Sequence, residues 1–348
     1  MKTILMTGGT GFLGGNIVEK LLEDKNNKID IIVEPRYLDV FDQMVSKHGK
    51  KYANIEDRLQ MLVGDITRED LGLKKIPDAD EFYHLAAIYL LDVKKDLAEK
   101  VNVEGTRNIV NLAKKIKKLK AFNHVSTCYV SGDRKGLILE DELDKGQKFN
   151  NHYEETKFKA EAIVRENMQY LPTRIFRPAI VVGNSKTGET ISFNGLYFAF
   201  DALNRTFLGY PALLALPGKE NTKVNFIPVD YLVDAMIAIA GKKETIGKTF
   251  QIADPRPLTV DEILGISCEE FKVKKPLLRH MPAFLVKLSF KMGLGKILKI
   301  KKELIPYMDA QTEYDTTNTT QALEGTGIEC PRLYEYISTI ADYWKKHK

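Results

Sequence analysis

Short apolar runs alternate with amphipathic segments through the first half of the chain. The runs are apolar throughout, which is typical of parallel strands covered on both faces. Patterns with a helical period, at 101–117 and 153–169, stand between them. The pattern predicts an α/β fold with a doubly wound parallel sheet. Its expected strands are 2–8, 29–33, 59–65, 80–86, 121–127 and 173–182.

The pattern changes after residue 182, where pieces punctuated by glycine and proline follow one another. We therefore expect a nucleotide-binding domain over 1–182 and a smaller, mostly C-terminal substrate-binding region over 183–348. Within the second part, 229–241 has a helical pattern and 249–254 a strand pattern. This predicts that 228–254 returns to pack on the sheet.

Composition places the chain among globular proteins. It has 348 residues, of which 44% are hydrophobic and 28% charged. The three cysteines, Cys128, Cys268 and Cys330, lie far apart without metal-ligand spacing, so neither a disulfide framework nor a zinc site is expected. The apolar start is broken by glycines and lacks a cleavage site, and no window is long and apolar enough to span a membrane. These features favour the cytoplasm.

A glycine-rich turn, TGGTGFLG, occupies residues 7–14, directly after the first expected strand. Gly8 permits a tight turn, Gly11 lets the backbone approach a pyrophosphate, and Gly14 allows close packing of helix on strand. The expected helix, from Leu13 onward, turns its positive end toward the phosphates. The turn predicts dinucleotide binding and a sheet of the Rossmann type.

Two charges after the second strand bear on the choice of cofactor. Glu34 could accept hydrogen bonds from the adenosine ribose, which favours NAD, whereas Arg36 could accommodate the 2′-phosphate of NADP. Either residue could instead be an ordinary solvated loop charge.

A phenol and an ammonium stand four residues apart on one predicted helix, in Tyr153-Glu-Glu-Thr-Lys157. A nearby cation lowers the pKa of a tyrosine, which can then exchange a proton with a carbonyl or hydroxyl oxygen. Upstream, Ser126 and Thr127 supply hydroxyls at the carboxyl end of a central strand, where α/β proteins bind ligands. The three features together predict a catalytic site.

The motifs TGGTGFLG, GDIT (64–67), HLAA (84–87), VNVEGTRNIV (101–110), HVSTCYVSG (124–132), YEETK (153–157) and RPAIVVG (177–183) occur in this order. The chain thereby resembles the extended short-chain dehydrogenase/reductase family over some 180 residues. HVST, YEETKFKAE and RPAIVVGNSKTG resemble its thioester reductase and fatty acyl reductase branch.

The resemblance implies roles at matching positions. It makes Thr127 the catalytic hydroxyl with Ser126 as the neighbouring candidate, Tyr153 the acid/base, and Lys157 the group that holds the nicotinamide ribose and tunes Tyr153. It also assigns a cofactor-binding set: Gly8, Gly11, Phe12, Leu13, Gly14, Glu34, Arg36, Asp65, Ile66, Leu85, Ala86, Ala87, Asn102, Tyr153, Lys157, Pro178 and Ile180. Glu34 stands where this branch commonly has arginine, yet the branch as a whole favours NADP over NAD.

The resemblance leads us to expect an oxidoreductase that moves a hydride between NAD(P)H and a carbonyl, as in an acyl thioester or aldehyde. A nucleotide-sugar epimerase or dehydratase with tightly bound NAD, and a non-catalytic dinucleotide sensor, are the alternatives. Acyl-CoA or an acyl carrier protein could deliver the substrate, and a homodimer would fit the family. No nucleic-acid-binding module is recognisable.

Other candidates have plainer interpretations. The histidines lack metal spacing, and His84 and His124 are expected to be core residues. Glu154 and Glu155 could supply a second acid, but on a charged helix they are expected to face solvent. Residues 271–302 hold ten Lys or Arg and no Asp or Glu. This segment could be a helix over the substrate cleft, a docking face for an acidic or phosphate-bearing partner, or a peripheral membrane contact.

Overall fold

A computed structural model provides the structure of the protein. It describes residues 1–90, 92–204, 206–207, 210–211, 216–217, 221–276, 280–281, 307 and 310–348. Most of the basic segment 271–302 lies outside the described residues, so the three interpretations of it stay predictions.

The described residues contain one large parallel sheet. Its strands are β1 (Lys2–Thr7), β2 (Asn27–Val33), β3 (Leu59–Val63), β4 (Glu81–His84), β5 (Ala121–Val125), β7 (Thr173–Pro178) and β14 (Thr249–Ile252). Their order across the sheet is β14-β7-β5-β4-β1-β2-β3. The chain order reverses between β1 and β4, which is where doubly wound sheets bind ligands. The predicted doubly wound α/β sheet is confirmed.

Helices cover both faces of this sheet and build the C-terminal part. They are α1 (Phe12–Leu22), α2 (Leu38–Gly49), α3 (Ile55–Arg58), α4 (Lys95–Ala98), α5 (Gly105–Lys115), α6 (His152–Glu166), α7 (Leu196–Leu203), α8 (Val229–Ala240), α9 (Val260–Glu270), α10 (Thr317–Leu323) and α11 (Leu333–His347). A π-helical segment, Glu99–Glu104, joins α4 to α5, so the helix predicted at 101–117 begins earlier and is irregular at its centre.

Small strand pairs and single turns complete the described elements. The pairs are formed by β6 (Gly136–Ile138), β8 (Ile180–Val182), β9 (Thr206–Phe207), β10 (Tyr210–Pro211), β11 (Leu216–Pro217), β12 (Lys223–Val224), β13 (Phe226–Pro228), β15 (Leu258–Thr259), β16 (His280–Met281) and β17 (Thr312–Tyr314). The single 3₁₀ turns are Pro35–Tyr37, Glu69–Gly72, Cys128–Ser131 and Lys243–Thr245.

Burial on both faces explains the apolar runs. On β1, Ile4 and Met6 pack in the layer that contains α1 and α8, whereas Leu5 packs in the layer that contains α5 and α6. All three side chains are fully buried. A strand with cores on both sides has no solvent face, and its sequence therefore does not alternate.

The chain after residue 182 contributes to the sheet and also forms a separate core. β14 pairs in parallel with β7 at the sheet edge, and α8 packs on α1. A second cluster, formed by α7, α9 and α11, is centred on aromatic residues including Phe200 and Trp344. Residues 249–252 thus join the sheet, while the division at 182/183 stays a prediction.

Candidate active site

The turn from β1 to α1 brings backbone to the carboxyl edge of the sheet. Gly8 has a positive φ of 73°, and a Cβ there would lie 2.7 Å from the Ala86 nitrogen. A Cβ on Gly14 would lie 2.0 Å from the Gly8 oxygen. Helix α1 begins at Phe12, one residue before the predicted start. Gly11 is its N-cap residue, and no side chain forms a capping hydrogen bond there.

This cradle fits the diphosphate of a dinucleotide. The first N–H groups of a helix have no partner within it, and here no side chain occupies the cap position. Around Gly11 a Cβ would meet only the Gly8 oxygen, at 3.3 Å, so the approach over this residue is open. Phe12 and Leu13 lie in the first turn of the same helix and pack on the core layer of α1.

Glu34 and Arg36 follow β2 at the same edge. They form an ion pair of 2.8 Å, in which the Arg36 side chain is 62% exposed, and its guanidinium lies over the Tyr37 ring. The Glu34 charge that would repel a 2′-phosphate is therefore balanced by its neighbour. The two residues form one pair in this structure, and the choice between NAD and NADP stays a prediction.

Asp65 and Ile66 follow β3, the next strand. The Asp65 carboxylate accepts hydrogen bonds from the Thr67 backbone N–H and hydroxyl, both at 2.8 Å. Burial raises the pKa of Asp65, but these bonds and nearby Arg68 outweigh burial and keep it below its usual value. Ile66 packs close to Gly105 at the start of α5. This fixes the loop on which both residues stand.

Leu85, Ala86 and Ala87 follow β4 and lie against the glycine turn. The Leu85 N–H donates to the Thr7 carbonyl (3.2 Å), and all three residues are half-buried. Asn102, in the π-helical segment, binds both backbone groups of Ile88 (2.8 and 3.0 Å) and is itself 1% exposed. Its amide holds the loop after β4 in place, and the cofactor contact that the resemblance implies for Asn102 stays a prediction.

Thr127, Tyr153 and Lys157 meet at the carboxyl end of β5. Lys157 is buried, and its ammonium donates to the carbonyl of Val125, the last residue of β5, at 2.7 Å. The Tyr153 phenol, one turn earlier on α6, interacts with the Thr127 hydroxyl. The helix and the strand end thus bring together the three groups that the sequence proposes as catalytic.

Burial dominates the pKa values of Tyr153 and Lys157. It raises the pKa of Tyr153 to about 12 against the opposing Thr127 hydroxyl, and it lowers the pKa of Lys157 to about 8 against the opposing charge of Glu161. The expectation that Lys157 brings the Tyr153 pKa toward neutrality is therefore wrong for this state. Lys157 donates to Val125, and the phenol stays protonated at neutral pH.

Ser126 faces away from the Tyr153 phenol. Its hydroxyl donates to the buried Glu161 carboxylate at 2.6 Å. Glu161 also forms ion pairs with Arg177 (2.6 Å) and Arg165 (2.8 Å). Ser126 thus belongs to a buried ionic network under the site, and Thr127 alone presents its hydroxyl to Tyr153.

Pro178 and Ile180 stand where β7 passes into β8. Pro178 is the buried last residue of β7, in register with Ile252. Ile180 is half-buried, and its N–H donates to the Asn225 carbonyl at 3.1 Å. These contacts bring strands β8 and β13 next to the end of β7.

Sequence reasoning missed the surroundings of Glu154. This residue is fully buried instead of facing solvent, and its carboxylate accepts hydrogen bonds from the Asn150 N–H (2.8 Å) and from the Tyr307 hydroxyl. Burial raises its pKa. The spacing of Asn151, the N-cap of α6, and Glu154 three residues later is a capping-box signal that could have predicted a carboxylate turned toward the backbone. Nothing in the sequence points to Tyr307.

Glu155 is half-buried and pairs with Lys159 at 2.7 Å.

The strand histidines are core residues, as expected. His84 lies between the hydroxyls of Thr7 (2.8 Å) and Thr106 (3.1 Å), and burial lowers its pKa to about 3. His124 is also fully buried. Across the described ranges no three His, Cys, Asp or Glu side chains converge as metal ligands. Among the helices of those same ranges, none has the length and apolar character needed to cross a bilayer.

The chain is similar in sequence to a known protein family and to fatty acyl-CoA reductases. The family described as male sterility protein, an NAD-binding family, matches residues 6–236. Fatty acyl-CoA reductase wat of Drosophila melanogaster is 30% identical over 281 residues, covering 69% of this chain and 54% of that protein. The alcohol-forming fatty acyl-CoA reductase of Simmondsia chinensis is 34% identical over 173 residues, covering 43% and 35%.

Among solved structures, the terminal R domain from the myxalamid PKS-NRPS biosynthetic pathway has a TM-score of 0.81 and 26% identity, and the alignment covers 99% of this chain and 90% of that one. The chain spans about half the length of the Drosophila relative and about a third of the Simmondsia one.

Proposed function

The chain belongs to the male sterility protein family, within the extended short-chain dehydrogenases/reductases, and we propose that it reduces acyl thioesters with a nicotinamide dinucleotide. The observation that carries this proposal is the meeting of Thr127, Tyr153 and Lys157 beside an uncapped helix N-terminus at one sheet edge. The family resemblance expected from the motifs is confirmed. Two of the similar proteins are fatty acyl-CoA reductases, and the site geometry is compatible with the reaction that this name describes.

The residues at this edge divide between holding the cofactor and handling the substrate. The turn Gly8–Gly14 would hold the diphosphate, the residues after β2 and β3 the adenosine, and Lys157 the nicotinamide ribose. The bound nicotinamide supplies the hydride. The strand ends beyond β4, toward β7 and β14, are then left for the thioester.

The chain's own groups manage the proton and the charge on oxygen. As a hydride adds to the thioester carbon, negative charge grows on the carbonyl oxygen, and the Thr127 hydroxyl donates a hydrogen bond to it. Tyr153, protonated because of its raised pKa, transfers its proton to that oxygen. Loss of thiol from the resulting hemithioacetal gives an aldehyde.

We further propose a preference for NADPH over NADH. Arg36 is exposed at the end of β2 and already neutralises Glu34, so a 2′-phosphate would meet a paired carboxylate and a guanidinium held over the Tyr37 ring. A charge-assisted contact of this kind favours NADPH.

Two measurements test the proposal. The first follows oxidation of NADPH and NADH by the purified chain with a long-chain acyl-CoA, and identifies the product by mass spectrometry. We expect aldehyde or alcohol formation, and conversion of a UDP-sugar without reduction of any acyl thioester would contradict the reaction class.

The second measurement addresses cofactor choice through Arg36→Glu, with Arg107→Glu on the exposed face of α5 as the control. We expect Arg36→Glu to weaken NADPH binding roughly 10- to 100-fold and NADH binding little, since only NADPH carries the 2′-phosphate. Equal losses for both cofactors would show that Arg36 does not face the adenosine ribose.

A further inference from the structure

A cavity of about 370 Å³ lies on the substrate side of the sheet, in a part of the fold to which the motifs assign nothing. The loop Pro255–Leu258 forms part of its lining. The charged and hydroxyl-bearing residues around it are Lys223, Arg256, Arg332, Glu262, Glu313 and Tyr314. A concave site of this volume can enclose one small chemical group, which a flat protein surface cannot do.

The acidic residues of the cavity already have partners. Glu313 pairs with Lys223 at 2.9 Å. Glu262 accepts the backbone N–H (2.7 Å) and hydroxyl (2.9 Å) of Thr259 in the capping box of α9. Neither carboxylate forms an ion pair with the two arginines in the described part of the chain, although the Arg332 charge contributes to lowering the pKa of Glu262.

The arginines retain unused donors. Nη1 of Arg332 is buried without a hydrogen bond, and its ion-pair partner Asp254 is 3.8 Å away. Arg256 is exposed, and in the part of the chain that the structure describes its guanidinium forms no ion pair. A buried guanidinium nitrogen normally has an acceptor, so the cavity is suited to an oxyanion.

The cavity stands at the same edge as the catalytic groups. The loop Pro255–Leu258 follows β14, and β14 is two strands from β5, whose end carries Thr127. Two strand spacings amount to about 10 Å. Tyr314 lines the cavity and also packs against the cluster of Cys128, Ala179 and Ala253, in which Cys128 is the residue after Thr127. A substrate with its carbonyl at Thr127 could thus extend along the edge and end with an anionic group in the cavity.

We propose that this cavity binds the phosphate at the far end of the pantetheine arm of a thioester substrate, with Arg256 and Arg332 as its ligands. The inference rests on the proposed thioester reduction and names the part of the substrate that this cavity recognises. Coenzyme A and the prosthetic arm of a carrier protein share this phosphate. An acyl chain alone, or a free aldehyde, carries no group that would use the two guanidinium groups.

The test compares three thioesters with the same acyl group: the CoA thioester, the 4′-phosphopantetheine thioester and the phosphate-free pantetheine thioester. The variant is Arg256→Gln, chosen because Arg256 is exposed and its loss should not affect folding. Arg107→Gln, on α5, is the matched control. Circular dichroism melting verifies the fold of both variants.

We expect Arg256→Gln to raise KM for the two phosphorylated substrates roughly 10- to 100-fold, the range for one charge-assisted hydrogen bond, with kcat and the pantetheine thioester unaffected. Arg256→Lys should recover part of the loss. A CoA thioester with a KM well below that of the phosphopantetheine thioester would support CoA as the source, and equal values would support a carrier-borne arm.

Equal changes on all three substrates, no change on any, or a loss with the CoA thioester alone would overturn the assignment. Reduction of the pantetheine thioester by the unmodified chain tests the proposed function separately, because that substrate does not need the cavity. Failure of the two claims is therefore distinguishable.

Discussion

Two adjacent hydroxyls at the end of β5 differ in what they contact. Ser126 donates to Glu161 inside a network with Arg177 and Arg165, whereas the Thr127 hydroxyl interacts with Tyr153. Consecutive residues at a strand end point in opposite directions, so only one of the pair can face the ligand edge. The sequence marks both positions, and the direction of each side chain becomes clear only when the partner Glu161 is known.

The pair Ser126→Ala and Thr127→Ala separates these roles. We expect Thr127→Ala to lower kcat about 100-fold or more, as for the loss of an oxyanion donor. Ser126→Ala should keep most of the activity and lose about 1–2 kcal/mol of unfolding free energy, because one hydrogen bond to a buried carboxylate disappears. Steady-state kinetics and urea unfolding check both, and the reverse pattern would assign catalysis to Ser126.

Lys157 gives the site a dependence on pH. Burial holds its pKa at about 8, well below the usual value for lysine, so the ammonium is lost as pH rises through this range. We expect kcat/KM, which reports the free enzyme, to fall as pH increases through about 8. Lys157→Arg keeps its charge and should move this decline to higher pH. A wild-type profile without a decline in this range would contradict the assigned pKa.

At the scale of elements, the βα turn depends on how closely α1 approaches β1. Gly14 faces the Gly8 carbonyl, whereas an added Cβ on Gly15, one residue later, would meet no described atom outside its own helix nearer than 3.8 Å. The glycine spacing alone predicts this turn, because each of its positions requires a glycine for a separate steric reason. The π-helical segment and the Tyr307 partner of Glu154 could not be predicted, because they depend on contacts of Ile88, Thr156 and Tyr307 with residues distant in sequence.

Gly14→Ala and Gly15→Ala form a matched pair. We expect Gly14→Ala to cost about 1–3 kcal/mol of unfolding free energy and to weaken dinucleotide binding, since its methyl group would push α1 off the turn. Gly15→Ala should be neutral or stabilising by up to about 1 kcal/mol, because alanine favours a helix interior. Thermal melts and calorimetry with NADPH measure both effects. Equal stability of the two variants would refute the close approach.

At the scale of the whole molecule, the C-terminal part is tied to the sheet by Glu140. This buried carboxylate accepts hydrogen bonds from the Gln251 N–H on β14 (2.8 Å), from the Asn318 N–H on α10 and from the Thr319 hydroxyl (2.9 Å). Burial raises its pKa to about 7. The strand pattern predicts that 249–254 returns to the sheet, but the sequence does not reveal that a residue more than a hundred positions earlier holds it there.

Removing this carboxylate should loosen the C-terminal part. We expect Glu140→Ala to lower the unfolding free energy by about 3 kcal/mol, because several buried donors lose their acceptor together. Glu324→Ala, at the exposed end of α10, is the control and should stay within about 0.5 kcal/mol of wild type. Urea denaturation measures both, and a Glu140 variant as stable as the control would rule out this link.

Tyr153 is proposed as the proton donor of a dinucleotide-dependent reductase. The decisive measurement compares Tyr153→Phe with wild type in the reduction of an acyl thioester and in NADPH affinity. We expect a loss of about 100- to 10,000-fold in kcat with nearly unchanged cofactor affinity, since only the phenolic proton is removed. A variant that is folded, binds NADPH and keeps more than about a tenth of its activity would contradict it.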